Sequence, residues 1–175
     1  MVGIGACVCQ RIAIRRPDLA RSLVNTGAWA YCDPLLEEQL RLFVDIHREA
    51  GWATFQRLVC AYSFDVDFYN ANAHRIVGPD GPWRELRGRI DTHQRFIDAS
   101  IIYDVRDELP LIQCPTFVLH AALDTITGPR TTQPIADGIP NAHSITYDDA
   151  AHVLAGKVLR QRFAGHLFEF FEEVG

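Results

Sequence analysis

The chain has 175 residues, 48% hydrophobic and 22% charged, with 17 basic against 22 acidic side chains and a net charge of −5. That length suits one globular domain, and a mild acidic excess leaves no electrostatic footprint for nucleic acid or an anionic membrane. No 18-residue apolar stretch, basic run or low-complexity tract occurs, so neither a spanning helix nor a disordered arm is expected. The apolar opening, Met1 to Cys9, precedes its arginines, the reverse of a signal peptide. Five cysteines, an odd number without a Cys-x-x-Cys pair, predict reduced thiols and a cytoplasmic setting.

Residues 5–15 carry small and apolar positions at helical spacing, and the helix should stop near Pro17. A short strand is expected around Leu23, Val24 and Thr26, ended by Gly27. Asp33-Pro34 reads as an N-cap followed by proline at the first helical position. Leu36, Leu40, Phe43, Val44 and His47 then follow along one face. Further helices are predicted over 52–62 and 82–103, with a short aromatic-rich segment over 65–77 and a Gly-Pro turn cluster at 78–82. Cys114 to His120 is a run of strand formers suited to a buried parallel strand. Gly128-Pro129 opens a helix to Gly138, His143 to Tyr147 alternates as a strand, and 159–173 is amphipathic with Phe163, Leu167, Phe170 and Phe171 inward. Strands alternating with helices predict an α/β fold with a parallel sheet. The expected organisation is a core segment at 1–32, a helical insertion at 33–104 and a second core segment at 105–175.

Asp124 falls just after one predicted strand and His152, 28 residues on, just after the next. Both project from the carboxyl ends of adjacent parallel strands, the crevice in which open α/β sheets place their sites. An aspartate there can orient a histidine and stabilise its protonated form, the orienter–base half of a nucleophilic triad.

Three stretches resemble the α/β-hydrolase superfamily, in its ester, enol-lactone and carbon–carbon bond hydrolase branches. They are Cys114-Pro-Thr-Phe-Val-Leu-His-Ala-Ala-Leu-Asp124 with Ile139-Pro-Asn-Ala142, the loop Asp149-Ala-Ala-His152, and Gly5 to Val24, which is similar to the stretch after that family's nucleophile elbow. The resemblance implies the C-terminal part of such a fold: about three parallel strands, flanking helices and a helical cap at 33–104. It implies Asp124 and His152 as the catalytic pair and the Ile4 amide as an oxyanion donor. It also places Gly3 where the elbow carries its serine, and glycine has no side chain to attack a carbonyl. Cys7, a helical turn further on, cannot take that place. Everything ahead of the elbow is missing by this register, so the strand near Leu23 is expected to have an uncovered apolar edge. The chain is then a fragment lacking its N-terminal half, or it covers that edge with a partner or by self-association.

Arg130 could hold a substrate carboxylate near Asp124 or pack on its helix. Trp29, Trp52 and the other aromatics of 33–104 either line a pocket for an apolar substrate or form a core of their own. His120 reads as a packed residue, and His47, His74 and His93 as helix-surface positions whose spacing fits no metal site. Met1-Val-Gly-Ile-Gly is a poor dinucleotide fingerprint, having no preceding strand and no third glycine. No cofactor or metal is expected, and the implied ligand is a small molecule, apolar or carboxylate-bearing. Three functions stay open: a hydrolase using Asp124 and His152; a nucleophile-free proton-transfer enzyme of lyase, cyclase or cofactor-free oxygenase type; and a non-catalytic binding descendant.

Overall fold

The computed structural model describes residues 3–175. Met1 and Val2, which begin the elbow pattern, lie outside the described residues. Helix α1 (Ile4–Arg15) ends one residue before the Pro17–Leu19 single turn, where the proline removes the helical continuation. Strand β1 (Leu23–Thr26) follows. Four helices then come before the next strand: α2 (Pro34–Glu49), α3 (Trp52–Ser63), α4 (Val66–Ile76) and α5 (Ile90–Ile101). Asp33 caps α2, its Oδ1 accepting from the Leu36 amide at 2.9 Å. The chain closes with β2 (Thr116–Ala121), α6 (Pro129–Gly138), β3 (Ala142–Tyr147) and α7 (Lys157–Val174).

The three strands form one parallel sheet in the order β1-β2-β3, with Val118 opposite Asn25 on one side and Ser144 on the other. The central strand is buried along its whole length, which its unbroken run of strand formers anticipates. Its alternating side chains feed two cores. Val118 packs with Leu23, Leu36, Phe55 and Ile112 beneath α1 and the inserted helices, while Phe117 and Leu119 pack with Tyr147 and Phe170 beneath α7. Burying a side chain such as Phe117 contributes about 2–3 kcal/mol. A buried polar latch fixes α1 on the sheet. Gln10 Nε2 donates to Asn25 Oδ1 at 2.8 Å, and the Tyr103 hydroxyl donates to Gln10 Oε1 or to the Cys7 carbonyl, each 2.9 Å away.

Strand β1 lies at the edge of the sheet, beside β2 among the described strands; its Leu23, Asn25 and Thr26 are buried, and the Gly3 amide donates to the Thr26 carbonyl at 2.9 Å. Three expectations are revised. The helix over 82–103 is two pieces, a single turn at Arg84–Leu86 and α5, separated by a bend at Gly88 with φ +70°. Phe171 is 46% exposed and only Phe170 of that pair is buried, because only a narrow stripe of α7 packs on the Phe117–Leu119 face of the sheet. The inserted helices do not carry His47 and His93 on their surface. Both are buried, 5% and 4% exposed, with Nδ1 atoms 3.0 Å apart and both rings packed on Phe55.

That histidine pair makes the fold acid-sensitive. Burial lowers both pKa values, and His93 is pushed down to about 4 by burial first, then by His47 and Arg48. Folded His93 refuses a proton that the unfolded chain, near 6.5, accepts. Its stabilising contribution is therefore complete above about pH 6.5, is lost as pH falls, and is gone below about pH 4. Thermal melts should show about 3 kcal/mol of stability lost across that window, and His93→Gln should flatten the slope.

Candidate active site

The loops after β2 and β3 are zipped together. The Ala122 amide donates to the Tyr147 carbonyl at 3.0 Å and the Leu123 amide to the Ala150 carbonyl at 2.9 Å. This holds Asp124, three residues past β2, against His152, five past β3. His152 Nδ1 lies 2.9 Å from Asp124 Oδ2, with the aspartate side chain fully buried and the histidine 18% exposed. Asp124 Oδ1 accepts from the Ile126 and Thr127 amides, both at 2.8 Å. The carboxylate is thus an acceptor on both oxygens, so the imidazole is assigned its proton on Nδ1 and its lone pair on Nε2. Burial pushes the Asp124 carboxyl up, but the His152 hydrogen bond and charge, with the Thr127 and Ile126 amides, outweigh it and hold the group below the usual carboxylate range.

Thr127, unnoticed in the sequence, completes the arrangement. Its hydroxyl lies 3.1 Å from Asp124 Oδ2 and 3.0 Å from His152 Nδ1, and it can donate to the first while accepting from the second. A threonine three residues after an aspartate at a strand end is the pattern of a side-chain-capped turn, a signal present in the sequence but not specific. Gly27 lies beneath the ring: a Cβ there would be 3.3 Å from both His152 Cε1 and Thr127 Oγ1.

His152 and Thr127 open onto a cavity of about 710 Å³, which Gly3, Ile4 and Trp29 also line. Gly3 stands at the N-cap of α1 with φ +59° and ψ −136°, a backbone that costs a non-glycine residue about 1–3 kcal/mol. A Cβ on Gly3 would have nothing nearer than the Gly27 carbonyl oxygen, 3.9 Å away. The position thus has room for a side chain but carries none. Cys7 is no substitute: it is 2% exposed, its thiol donates to the Trp29 carbonyl, and burial pushes its pKa up to about 12.

The remaining candidates divide. Trp29 lies on the cavity wall, as do Phe43, Phe55 and Trp83, so the aromatics of the inserted helices serve a core and a pocket at once. Trp52 is not among the residues lining this cavity; its indole N–H donates to the Trp83 carbonyl at 3.1 Å, and Arg87 lies over its ring. Arg130 is paired with Asp33 and donates to the Ile126 carbonyl, tying the start of α2 to α6 rather than facing the cavity. The cation on the cavity wall is Arg160, from the first turn of α7. His93 is the second imidazole there. His120 is buried, with Nδ1 2.6 Å from the Thr132 hydroxyl. Among the described residues no group of three or more metal-ligating side chains occurs, and no helix is long and apolar enough to cross a membrane.

The parallel sheet, the order of its connections and the strand-end Asp–His pair define the chain as having the fold of the α/β-hydrolases, to whose C-terminal part it corresponds. The solved structures that match it include an α/β hydrolase, MGS-M2, from a deep-sea metagenome library, with a TM-score of 0.81 and 18% identity over 96% of this chain and 62% of that one. The enol-lactonase of Burkholderia xenovorans superposes with a TM-score of 0.79 at 17% identity, covering 98% and 64% of the two chains. Among curated proteins, a Stutzerimonas stutzeri protein named "Putative carbamate hydrolase RutD" is 26% identical over 149 residues, 85% of this chain and 56% of its own length. A protein of the same name from Rhizobium rhizogenes is 23% identical over 152 residues, 86% of this chain and 58% of its own. The chain thus spans a little over half the length of these relatives. No protein-family model matches it.

Proposed function

We propose that the protein hydrolyses a carbonyl compound of the carbamate or ester class by direct attack of water, with His152 as general base and no covalent acyl intermediate. The observation that carries this reading is the pairing of a correctly oriented imidazole, Nδ1 at 2.9 Å from Asp124, with a glycine at the head of α1 in the same cavity. A base needs only a proton within reach, whereas an acyl-enzyme needs a side chain at position 3. The relatives named as carbamate hydrolases support the bond class.

In this mechanism water bonds to the carbonyl carbon as His152 Nε2 takes one of its protons. The negative charge that develops on the carbonyl oxygen meets the first amides of α1, Ile4 and Gly5, which have no intrahelical acceptor. Collapse of the tetrahedral species breaks the bond to the leaving nitrogen or oxygen, which receives the proton from the imidazolium. Asp124 stays ionised throughout and stabilises that imidazolium, while Thr127 keeps the ring in place. Helices α2 to α5 act as a cap, their Leu36, Phe43, Phe55 and Ile97 side chains excluding water from the acyl or alkyl part of the substrate.

Steady-state assays with 4-nitrophenyl esters and N-alkyl carbamates test the reading. Hydrolysis above background, with no protein labelling by a fluorophosphonate probe, is expected. Labelling of any residue lining the cavity, or no hydrolysis across the series, overturns it.

A further inference from the structure

The reaction proposed above uses one end of the cavity and says nothing of what the rest of it recognises. Its wall is apolar over most of its extent, and no aspartate or glutamate lines it. Arg160 is the one arginine on that wall and, His152 and His93 aside, its sole basic side chain. Arg160 is exposed, and its Nε donates to the Gly156 carbonyl at 3.1 Å, which steadies the guanidinium and leaves both Nη groups without a partner among the described residues. Arg130, next to the site in sequence, differs: it is committed to Asp33. An arginine held by its Nε and free at its two terminal nitrogens presents the fork that binds a carboxylate bidentately. The dipole of α1, which opens onto the same cavity at Gly3 and Ile4, adds positive potential.

We infer that the ligand of this cavity is an amphipathic anion, an apolar body seated among the aromatic and aliphatic side chains with a carboxylate held by Arg160. This substrate class rests on the hydrolysis reading only for the position of the scissile bond. The recognition itself requires no turnover. In the substrate the carboxylate is a second group, remote from the carbonyl that water attacks, and Arg160 is a specificity-determining residue rather than a catalytic one.

Titration of the 175-residue protein with 4-phenylbutyrate and with its neutral amide, 4-phenylbutanamide, followed by NMR, tests this directly. The acid should bind about two- to fivefold more tightly than the amide, as an ion pair with an exposed arginine allows. Arg160→Gln should abolish that preference without changing affinity for the amide, and Arg160→Lys should keep part of it. Equal binding of acid and amide, a preference that survives Arg160→Gln, or binding of neither would overturn the inference. If the preference is found as described but no ester or carbamate is hydrolysed, the hydrolysis reading fails and the ligand class stands.

Discussion

Replacing His152 by alanine should lower hydrolysis by about a hundred- to ten-thousand-fold, the range by which a positioned general base accelerates a proton transfer. The fold should survive the change. His152 keeps 18% of its side chain exposed, and its loop is anchored independently by the Val153 amide, which donates to the Ser63 carbonyl at 2.8 Å. A loss of turnover with an unchanged thermal melt therefore reports chemistry rather than folding. Asp124→Asn should cost about as much by a different route. The amide can turn its NH2 toward His152 and favour the tautomer whose lone pair faces the wrong way, the effect expected when an orienting carboxylate is lost. In that orientation the asparagine oxygen still accepts the Ile126 and Thr127 amides, but the buried charge and the Thr127 hydroxyl bond to Oδ2 are lost, so this variant should lose some stability as well. That contrast between the two melts separates the roles of base and orienter.

Gly128→Ala is expected to be strongly destabilising. A Cβ at this position would sit 2.2 Å from the Asp124 carbonyl oxygen and 3.3 Å from that of Ala121. Both neighbours are backbone, and neither can turn aside as a side chain would. Gly128 is also the N-cap of α6, and its carbonyl accepts from the Thr131 and Thr132 amides, so the helix start cannot simply retreat. Relief must come from displacing the Asp124–Thr127 turn, which carries both the orienting carboxylate and the hydroxyl that holds His152. A destabilisation of about 3 kcal/mol or more should appear in chemical denaturation, together with a loss of activity in whatever fraction remains folded. Gly165→Ala, where nothing lies within 4 Å of the added methyl, is the control and should melt at or above the native temperature.

What could be read from the sequence follows from how local each determinant is. The stop of α1 before Pro17 and the cap of α2 by Asp33 are set within a few residues, and both were legible. The central strand declared itself because Thr116 to Ala121 is buried on both faces and needs strand formers throughout. The contact of Asp124 with His152 was legible as a placement, since two parallel strands must bring their carboxyl ends together. Its supporting cast was not. Thr127 looks like any turn threonine until its hydroxyl is found between the two side chains. Arg130, adjacent to the site in sequence, is drawn away by Asp33, which lies 97 residues earlier. Arg160 reaches the cavity because α7 starts beside it, which no local pattern announces. His47 and His93 read as polar positions, yet each satisfies the other at Nδ1, a pairing between helices that periodicity alone cannot express. The two pieces of the 82–103 segment were read as one helix because its apolar spacing continues across the bend at Gly88.

The central claim is a base that acts on water at a site whose elbow position, Gly3, carries no side chain. Rapid mixing of the protein with a 4-nitrophenyl ester, following 4-nitrophenol release and the intact protein mass in the same reaction, tests it most directly. The account predicts linear release from the first turnover, no gain in protein mass, and loss of the rate in His152→Ala. A stoichiometric burst with an acyl adduct on the chain, or a rate equal in the native protein and His152→Ala, would contradict it.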